Sequence, residues 1–564
     1  MSRRTAVTGA GRRRGTPPEP PAPPAATAPA ASRAPSAAAA GRTATALHPA
    51  PAAQEPRGQE PPAQEPPAAQ EPPEAQEPPA SRAPGTAPPA RGGPVRRFAG
   101  RWLAGLDPST RRGVVRVVVL LCLTPLTVIL ANRSFAIADG LGPAAVYGTA
   151  VLAATAAMFY VAYTRYRDPA VEQVPCPRRL RGTFPPLPEQ PRVSLLLAVR
   201  DEEARIEECV RSMAGSDLPG VEIVVVDDAS RDGTGDILRR LAAELGITVV
   251  HLTENVGKKH ALVRACARAD GDVVVFTDSD CVLAPDAVRR CVTALVRNPH
   301  LGAVSGHCRA LNTDASLLAR IQDVWYEGQF RVAKAAESAF GSVTCVSGPL
   351  AAFRRDAVWN YLPAWAEDRF LGAPFRFATD RQLTGYVLGQ AWHGKRLKER
   401  HAGSPFVTGE DYPERPWLVG YVASARVGTD VPAGVRAFLR QQVRWKKSFI
   451  RNLCFTGGFM WRRGPGAAAL YYGHVLWVLL APLMAVRHLL WAPLQGLWLL
   501  TGLYLCGVLL KGCAWGLAYK ADHPGDTRWR YRPLMSLLSS TVLAWLLPYS
   551  LATVRRGVWS RGTS

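Results

Sequence analysis

No Cys-x-x-Cys pair occurs among the eleven cysteines, which are scattered along the chain. That absence argues against a zinc module and a disulfide framework, and implies a reducing, cytosolic setting for the middle of the chain. Gly-x-Gly-x-x-Gly is also missing, which counts against a dinucleotide-binding Rossmann domain. The Arg-rich start is followed by no apolar signal-peptide core. Residues 1–100 have almost no aromatic or large aliphatic side chains. Such a segment cannot bury enough surface to offset the entropy of ordering, so a disordered tail is expected there. Gln-Glu-Pro recurs in it at 54, 59, 64, 70 and 76, which gives polyproline character. Acidic residues are few: 45 Asp and Glu stand against 68 Lys and Arg, a formal charge of +23. An excess of this kind can serve nucleic acid. Here no nucleic-acid-binding motif accompanies it and many of the charges flank apolar runs, so no nucleic-acid partner is expected.

Those apolar runs are the first positive signal. Val114–Ala131 and Pro143–Thr164, within residues 113–165, are each close to the ~20 residues that span a bilayer. Neither shows the polar face of a core helix. Arg111, Arg112 and Arg116 lie at the start of the first, and Arg165 and Arg167 follow the second. Both outer ends are therefore expected in the cytosol. Further apolar blocks lie within 466–554, at Ala467–Val486, Leu489–Leu510 and roughly Leu534–Leu551. Lys511, Lys520, Arg528, Arg530 and Arg532 put the loop between the last two inside. Three spans would leave Arg555 and Arg556 outside, against the same rule, so a re-entrant piece at Ala514–Tyr519 or around Pro548 is the alternative.

Between the blocks, residues 192–430 alternate short apolar runs with amphipathic ones. Val193–Val199, Val221–Val226, Thr248–Leu252 and Asp272–Thr277 read as strands, with helices between them, which predicts an α/β domain on a parallel sheet. Ligands of such sheets bind outside the carboxyl ends of the strands. The residues at those ends are Asp201-Glu202-Glu203, Asp227-Asp228, Asn255-Val256-Gly257-Lys258-Lys259 and Asp278-Ser279-Asp280. Two carboxylates two residues apart can share Mg²⁺ or Mn²⁺, with substrate phosphates as further ligands. Ala315–Phe340 has helical period. Val346–Arg354 is a strand-like run interrupted at Gly348-Pro349, and Thr379-Asp380 opens a helix whose positive end favours a carboxylate. Within 431–462, Ala437–Leu453 is a basic amphipathic helix suited to an anionic leaflet.

The ordered set Asp228, Asp278-Ser279-Asp280, Asp380 and Gln441-x-x-Arg444-Trp445, flanked by apolar spans, resembles the processive family 2 glycosyltransferases. That group includes cellulose, chitin and hyaluronan synthases. Asn255–Ala261, Val346–Leu350, Asp380–Thr384 and Gln441–Phe449 make it most similar to hyaluronan synthases, over about residues 114–562. The resemblance implies a nucleotide-sugar-binding glycosyltransferase A-type domain, mostly parallel in its sheet, inserted between transmembrane helices with amphipathic interface helices. It also implies a multi-pass plasma-membrane protein with a cytosolic catalytic domain. By that likeness Asp201 or Glu202, with Asp228, would contact uracil and ribose, and Lys258 would help hold the nucleotide. Asp278 and Asp280 would bind the diphosphate through Mg²⁺ or Mn²⁺. Asp380 would be the general base. Gln441, Arg444 and Trp445 would close over the pyrophosphate and seat the terminal sugar of the growing polysaccharide. The donors would be UDP-sugars: UDP-GlcNAc and UDP-glucuronic acid for a hyaluronan-like polymer, or a single sugar for a chitin-like or β-glucan chain. A non-catalytic membrane scaffold or export channel is the reading of another class.

The sequence departs from the family's pattern in three places. Ala378-Thr379-Asp380 stands where the family has Gly-Asp-Asp, Arg200-Asp201-Glu202 replaces an aromatic and Asn or Asp before Glu, and Trp559–Thr563, in the tail 555–564, matches a Trp-Gly-Thr gating element only loosely.

Overall fold

The structure, a computed structural model, describes residues 142–556 except Arg181 and Ala378. The expected tail, the first apolar span and Trp559 lie outside the described residues. Gly142–Thr164 forms helix α1. Phe159 near its end is buried and meets Trp515 edge-on, ring centroids 5.0 Å apart.

Four apolar runs then become parallel strands: Val193–Val199 (β1), Glu222–Asp227 (β2), Thr248–His251 (β3) and Val273–Thr277 (β4). Val and Leu fill them because a strand covered on both faces needs no polar alternation. β1 and β4 are buried throughout, while β3 is a part-exposed edge. Leu196 pairs with Val224 of β2 on one side and Phe276 of β4 on the other. Helices α2 (Ile206–Ala214), α3 (Thr234–Leu245) and α4 (Lys258–Cys266) return the chain each time. All four carboxyl ends therefore fall on one edge.

The second half of the sheet is mixed. β5 (Cys281–Leu283), α5 (Ala287–Arg297) and β6 (Leu301–Ala310) lead to α6, Leu317–Gly328. Ser316 caps α6 by accepting from the Ala319 amide at 3.1 Å. The helix then widens into a π turn, Gln329–Lys334, before a last turn at Ala335–Ser338. β7 (Ala351–Arg354) runs antiparallel between β4 and β6. After α7 (Thr379–Arg400), β8 (Leu418–Thr429) lies parallel to β6 and antiparallel to β5. The eight-stranded order is β3-β2-β1-β4-β7-β6-β8-β5. The expected strand-like run Val346–Arg354 pairs only from Ala351 onward. The Val346 and Ser347 amides donate instead to Thr384 Oγ1 and Ser305 Oγ, at 2.9 and 3.2 Å, and Pro349 has no amide hydrogen to give.

Beyond the sheet lie α8 (Val435–Thr456), α9 (Pro465–Val486), α10 (Trp498–Asp522), α11 (Arg532–Thr541) and α12 (Leu546–Ala552). Among the described residues, two continuous helical stretches, Pro465–Leu494 and Trp498–Asp522, are long and apolar enough to cross a membrane. A third is possible if Arg528–Thr541 and Leu543–Ala552, bent by 41°, form one span; Gly148–Thr164 is shorter. The expected block Leu489–Leu510 is divided: Leu489–Leu494 completes the first stretch, and the chain reverses at Gly496, whose φ of +70° suits glycine. At the C-terminal end of α10, Asp522 accepts from the Tyr163 hydroxyl at 2.8 Å and pairs with Arg331 at 3.3 Å.

α8 differs from the expected leaflet-bound helix, because its last basic residues turn inward. Lys447 and Arg451 are buried. Arg451 grips Asp368 with two bonds, 2.9 and 2.6 Å. Lys259, from α4, lies 3.7 Å from the same carboxylate and donates to Gln382 Oε1 of α7 at 2.5 Å and to the Phe375 carbonyl at 3.0 Å. A buried carboxylate that loses its partner is strongly destabilising. Arg451→Met should thus cost about 3–5 kcal/mol in thermal unfolding of the detergent-solubilised protein, whereas Arg211→Met, in an exposed cluster, should leave it nearly unchanged. Burial also pushes the Lys259 amine down to about 8, with Asp368 opposing the shift. The folded form then sheds this proton before the unfolded chain does. The group's contribution to stability should therefore rise from pH about 8 toward the ordinary lysine range, and Lys259→Met should flatten that part of the melting-temperature profile.

Candidate active site

The loops after β1 and β2 are laced together. Asp201 and Ala229 both have positive φ, 50° and 58°, a conformation that non-glycine residues hold only when their surroundings fix it. Asp201 Oδ1 accepts from the Arg231 amide at 2.8 Å, and the Glu202 amide donates to Thr234 Oγ1 at 2.9 Å. Asp201 is exposed and Glu202 half-buried at the sheet edge. Asp228 is buried instead. Its two oxygens accept from the amides of Val256 at 2.7 Å and Gly257 at 2.9 Å. Gly257, φ +88°, gives the loop the turn that makes this possible. Asp228 thus shapes the segment that delivers Lys258, the first residue of α4, rather than standing open beside Asp201.

Lys258 forms an ion pair with Asp278 just past β4. Ligand atoms of Asp278, Asp280 and Cys281 lie within 4.8 Å of one another. Burial pushes the Cys281 thiol well above its ordinary range, so it stays protonated; a neutral sulfur is a poor ligand for a hard cation. The two carboxylates remain, which is the protein's usual share of a Mg²⁺ site completed by phosphates. Burial, with the like charge of Asp278, pushes Asp280 up to about 6. Such a pair favours an incoming cation. Arg444 of α8 faces both acids: burial lowers its pKa while Asp278 and Asp280 raise it. Gly348 closes the other side. A Cβ there would stand 2.7 Å from Asp278 Oδ2.

Asp380 sits in the first turn of α7 and accepts from the Cys345 thiol at 3.2 Å. Three residues on from Cys345, Gly348 touches Asp278, so one short segment joins the two acidic positions. Lys334, at the end of the π turn, donates to the Cys345 carbonyl and Ser347 Oγ behind that segment, at 2.7 and 2.6 Å. Cys345, Ser347 and Lys334 were not singled out from the sequence; the one signal for Lys334 is its place four residues after Phe330, on the inward face of the helical period.

Trp445 is 39% exposed. It packs against Trp325 and Tyr326 of α6, ring centroids 5.7 and 6.2 Å away. Gln441, on the same helix as Trp445, and Asp280 both act on the buried Tyr326 hydroxyl. The structure therefore brings Lys258, Asp278, Asp280 and Arg444 together, joins Asp380 to them through Cys345–Gly348, and sets Gln441 and Trp445 against α6. Asp201, Glu202 and Asp228 occupy the neighbouring strand ends. Trp325 and Tyr326 are site residues the sequence pattern presented only as helix core.

Residues 194–362 match the family model for glycosyl transferase family 2. An N-acetylglucosaminyltransferase of Azorhizobium caulinodans is 33% identical over 270 residues, 47% of this chain and 62% of that protein, so the match spans less than two thirds of that relative. A hyaluronan synthase of Streptococcus pyogenes is 28% identical over 380 residues, 66% of this chain and 83% of its own. Among solved structures, a mannosyltransferase from Pyrobaculum calidifontis in complex with GDP-Man and Mn²⁺ is 22% identical, with a TM-score of 0.40 over 72% of this chain and 98% of that one. Because a Cβ at position 348 would meet the Asp278 carboxylate at 2.7 Å, Gly348→Ala should weaken Mn²⁺ binding about 10–100-fold, measured by the electron paramagnetic resonance of free Mn²⁺; unchanged binding would remove Asp278 from the cation site.

Proposed function

We propose, from the match of residues 194–362 to the glycosyl transferase family 2 model, that the protein is a membrane-bound processive synthase that polymerises UDP-sugars into a β-linked polysaccharide and exports it. The observation that carries this reading is the joining of Asp380 to the Asp278–Asp280 pair by one segment, with Arg444 facing the pair. Asp201 or Glu202 meets the nucleoside at the edge that Asp228 shapes. Asp278 and Asp280 hold Mg²⁺ or Mn²⁺, whose charge stabilises the departing diphosphate. Lys258 and Arg444 add fixed positive charge where negative charge develops. Asp380 takes the proton of the acceptor hydroxyl as it attacks the anomeric carbon. One base and no second nucleophile give inversion. Trp445, with Trp325, offers an apolar face to the acceptor sugar, and Gln441 lies one turn before it on α8. The apolar helices and the inward basic loops support a multi-pass protein in the cell membrane with its catalytic domain in the cytosol.

A hyaluronan-like product, from UDP-GlcNAc and UDP-glucuronic acid, is favoured over a neutral homopolymer by one cluster. Arg381, Lys446 and Lys511 act electrostatically on His474 of α9, and none of the four makes an ion pair among the described residues. Positive charge gathered in this way suits a polymer that bears carboxylates.

Membranes given Mg²⁺ or Mn²⁺ should form high-mass product from radiolabelled UDP-GlcNAc only when UDP-glucuronic acid is also present. Product from one donor would establish a homopolymer, and no transfer from any UDP-sugar would leave a scaffold or channel. In the same assay Asp380→Asn should lower synthesis about 10²–10⁴-fold while largely sparing UDP binding.

A further inference from the structure

Lys334 is a buried cation to which the mechanism above gives no task. It ends the π turn and is 8% exposed. Its three ammonium hydrogens meet three acceptors: Ser305 Oγ at 2.9 Å, the Cys345 carbonyl at 2.7 Å and Ser347 Oγ at 2.6 Å. All three are neutral. A compact, strongly hydrated charge is costly to bury against neutral groups, so a neutral side chain would serve better if packing were the only need. π turns are frequent where a helix has been bent to a task. One turn further, Glu337 accepts from both the amide and the hydroxyl of Thr344, at 3.1 and 2.9 Å. The end of this helix therefore grips Thr344, Cys345 and Ser347 from behind.

What it grips has a reacting group at each end. The Cys345 thiol donates to Asp380, and the Gly348 backbone lies against the Asp278 carboxylate. We propose that Lys334 is a positioning residue that fixes the segment Cys345–Gly348, and thereby holds Asp380 and Asp278 at one spacing through successive sugar transfers. Lys334 touches neither acid directly. It acts through a carbonyl and a hydroxyl, and the ammonium can satisfy both while Ser305 anchors it to β6. The kinetic half of this inference rests on the transferase reading; its structural half does not.

Lys334→Met, Lys334→Arg and Ser347→Ala, made in the full chain and studied in native membranes, test both halves. The first measurement needs no substrate: the rate at which N-ethylmaleimide labels Cys345, followed by mass spectrometry. Lys334→Met should label about tenfold faster than the unaltered protein, because opening of the segment becomes easier, and Ser347→Ala should fall between them. The second is transfer from UDP-GlcNAc with UDP-glucuronic acid. Lys334→Met should lose about 10²-fold in kcat with KM for the donors changed by less than about threefold, since misplacement by an ångström has that effect. Lys334→Arg should restore most of the loss. Unchanged labelling together with unchanged kcat in Lys334→Met would overturn the inference. If that variant fails to fold, seen as lost UDP binding, Ser347→Ala decides: labelling no faster than in the unaltered protein overturns it as well. Faster labelling in a protein that transfers no sugar even when unaltered would leave the positioning role standing and remove the transferase reading.

Discussion

The carboxylate of Asp368 is where the parts of this protein are tied together. Arg451 reaches it from α8, Lys259 from α4, and Gln382 of α7 shares the Lys259 ammonium. Each of these helices also carries a group of the site: Arg444 and Trp445 on α8, Lys258 on α4, Asp380 on α7. Lys258 and Lys259 are adjacent, as Asp380 and Gln382 nearly are. A buried pair of this kind adds little net stability, because desolvating both charges offsets their attraction. What it does is exclude other arrangements, since any shift of one helix strands a charge. The relative position of Lys258, Asp380 and Arg444 is set there, away from the Asp278–Asp280 pair.

The first four strands and the acids that follow them were legible in the sequence, because apolar runs of strand length ending in Asp or Lys obey local rules. The parallel pairing then puts those ends on one edge without further information. The inward turn of Lys447 and Arg451 was not legible. Amphipathic patterning assigns charges to water or headgroups, and nothing local announces that Asp368, more than eighty residues away, will meet one of them. Asp228 is a similar case: Asp at a strand end reads as a ligand contact, but its oxygens go to the amides of Val256 and Gly257. The late start of β7 had a partial signal in Gly348-Pro349, which marks the break but not the amide partners on α7 and β6 that replace strand pairing.

The apolar C-terminal blocks were visible as composition, and their division was not. Gly496 reverses the chain inside what reads as one run, a matter of a single backbone angle rather than of hydropathy. The C-terminal ends of α1 and α10 are likewise fixed by polar contacts, Tyr163 and Arg331 converging on Asp522. The junction between these helices and the helix that follows β6 is therefore hydrogen-bonded as well as packed.

The π turn at Gln329–Lys334 has a consequence for how this helix can vary. Such a turn holds one residue more than the α turn it replaces. The wider turn takes up that residue, so the helical stretches on either side keep nearly the phase of one uninterrupted α-helix. Closing the turn by one residue would leave Trp325 and Tyr326 on one side and Glu337 on the other close to their present phase. A residue gained or lost in the α-helical stretches beside it would instead rotate the two ends by about 100° relative to each other. Tolerance of a change in length is therefore confined to the turn itself.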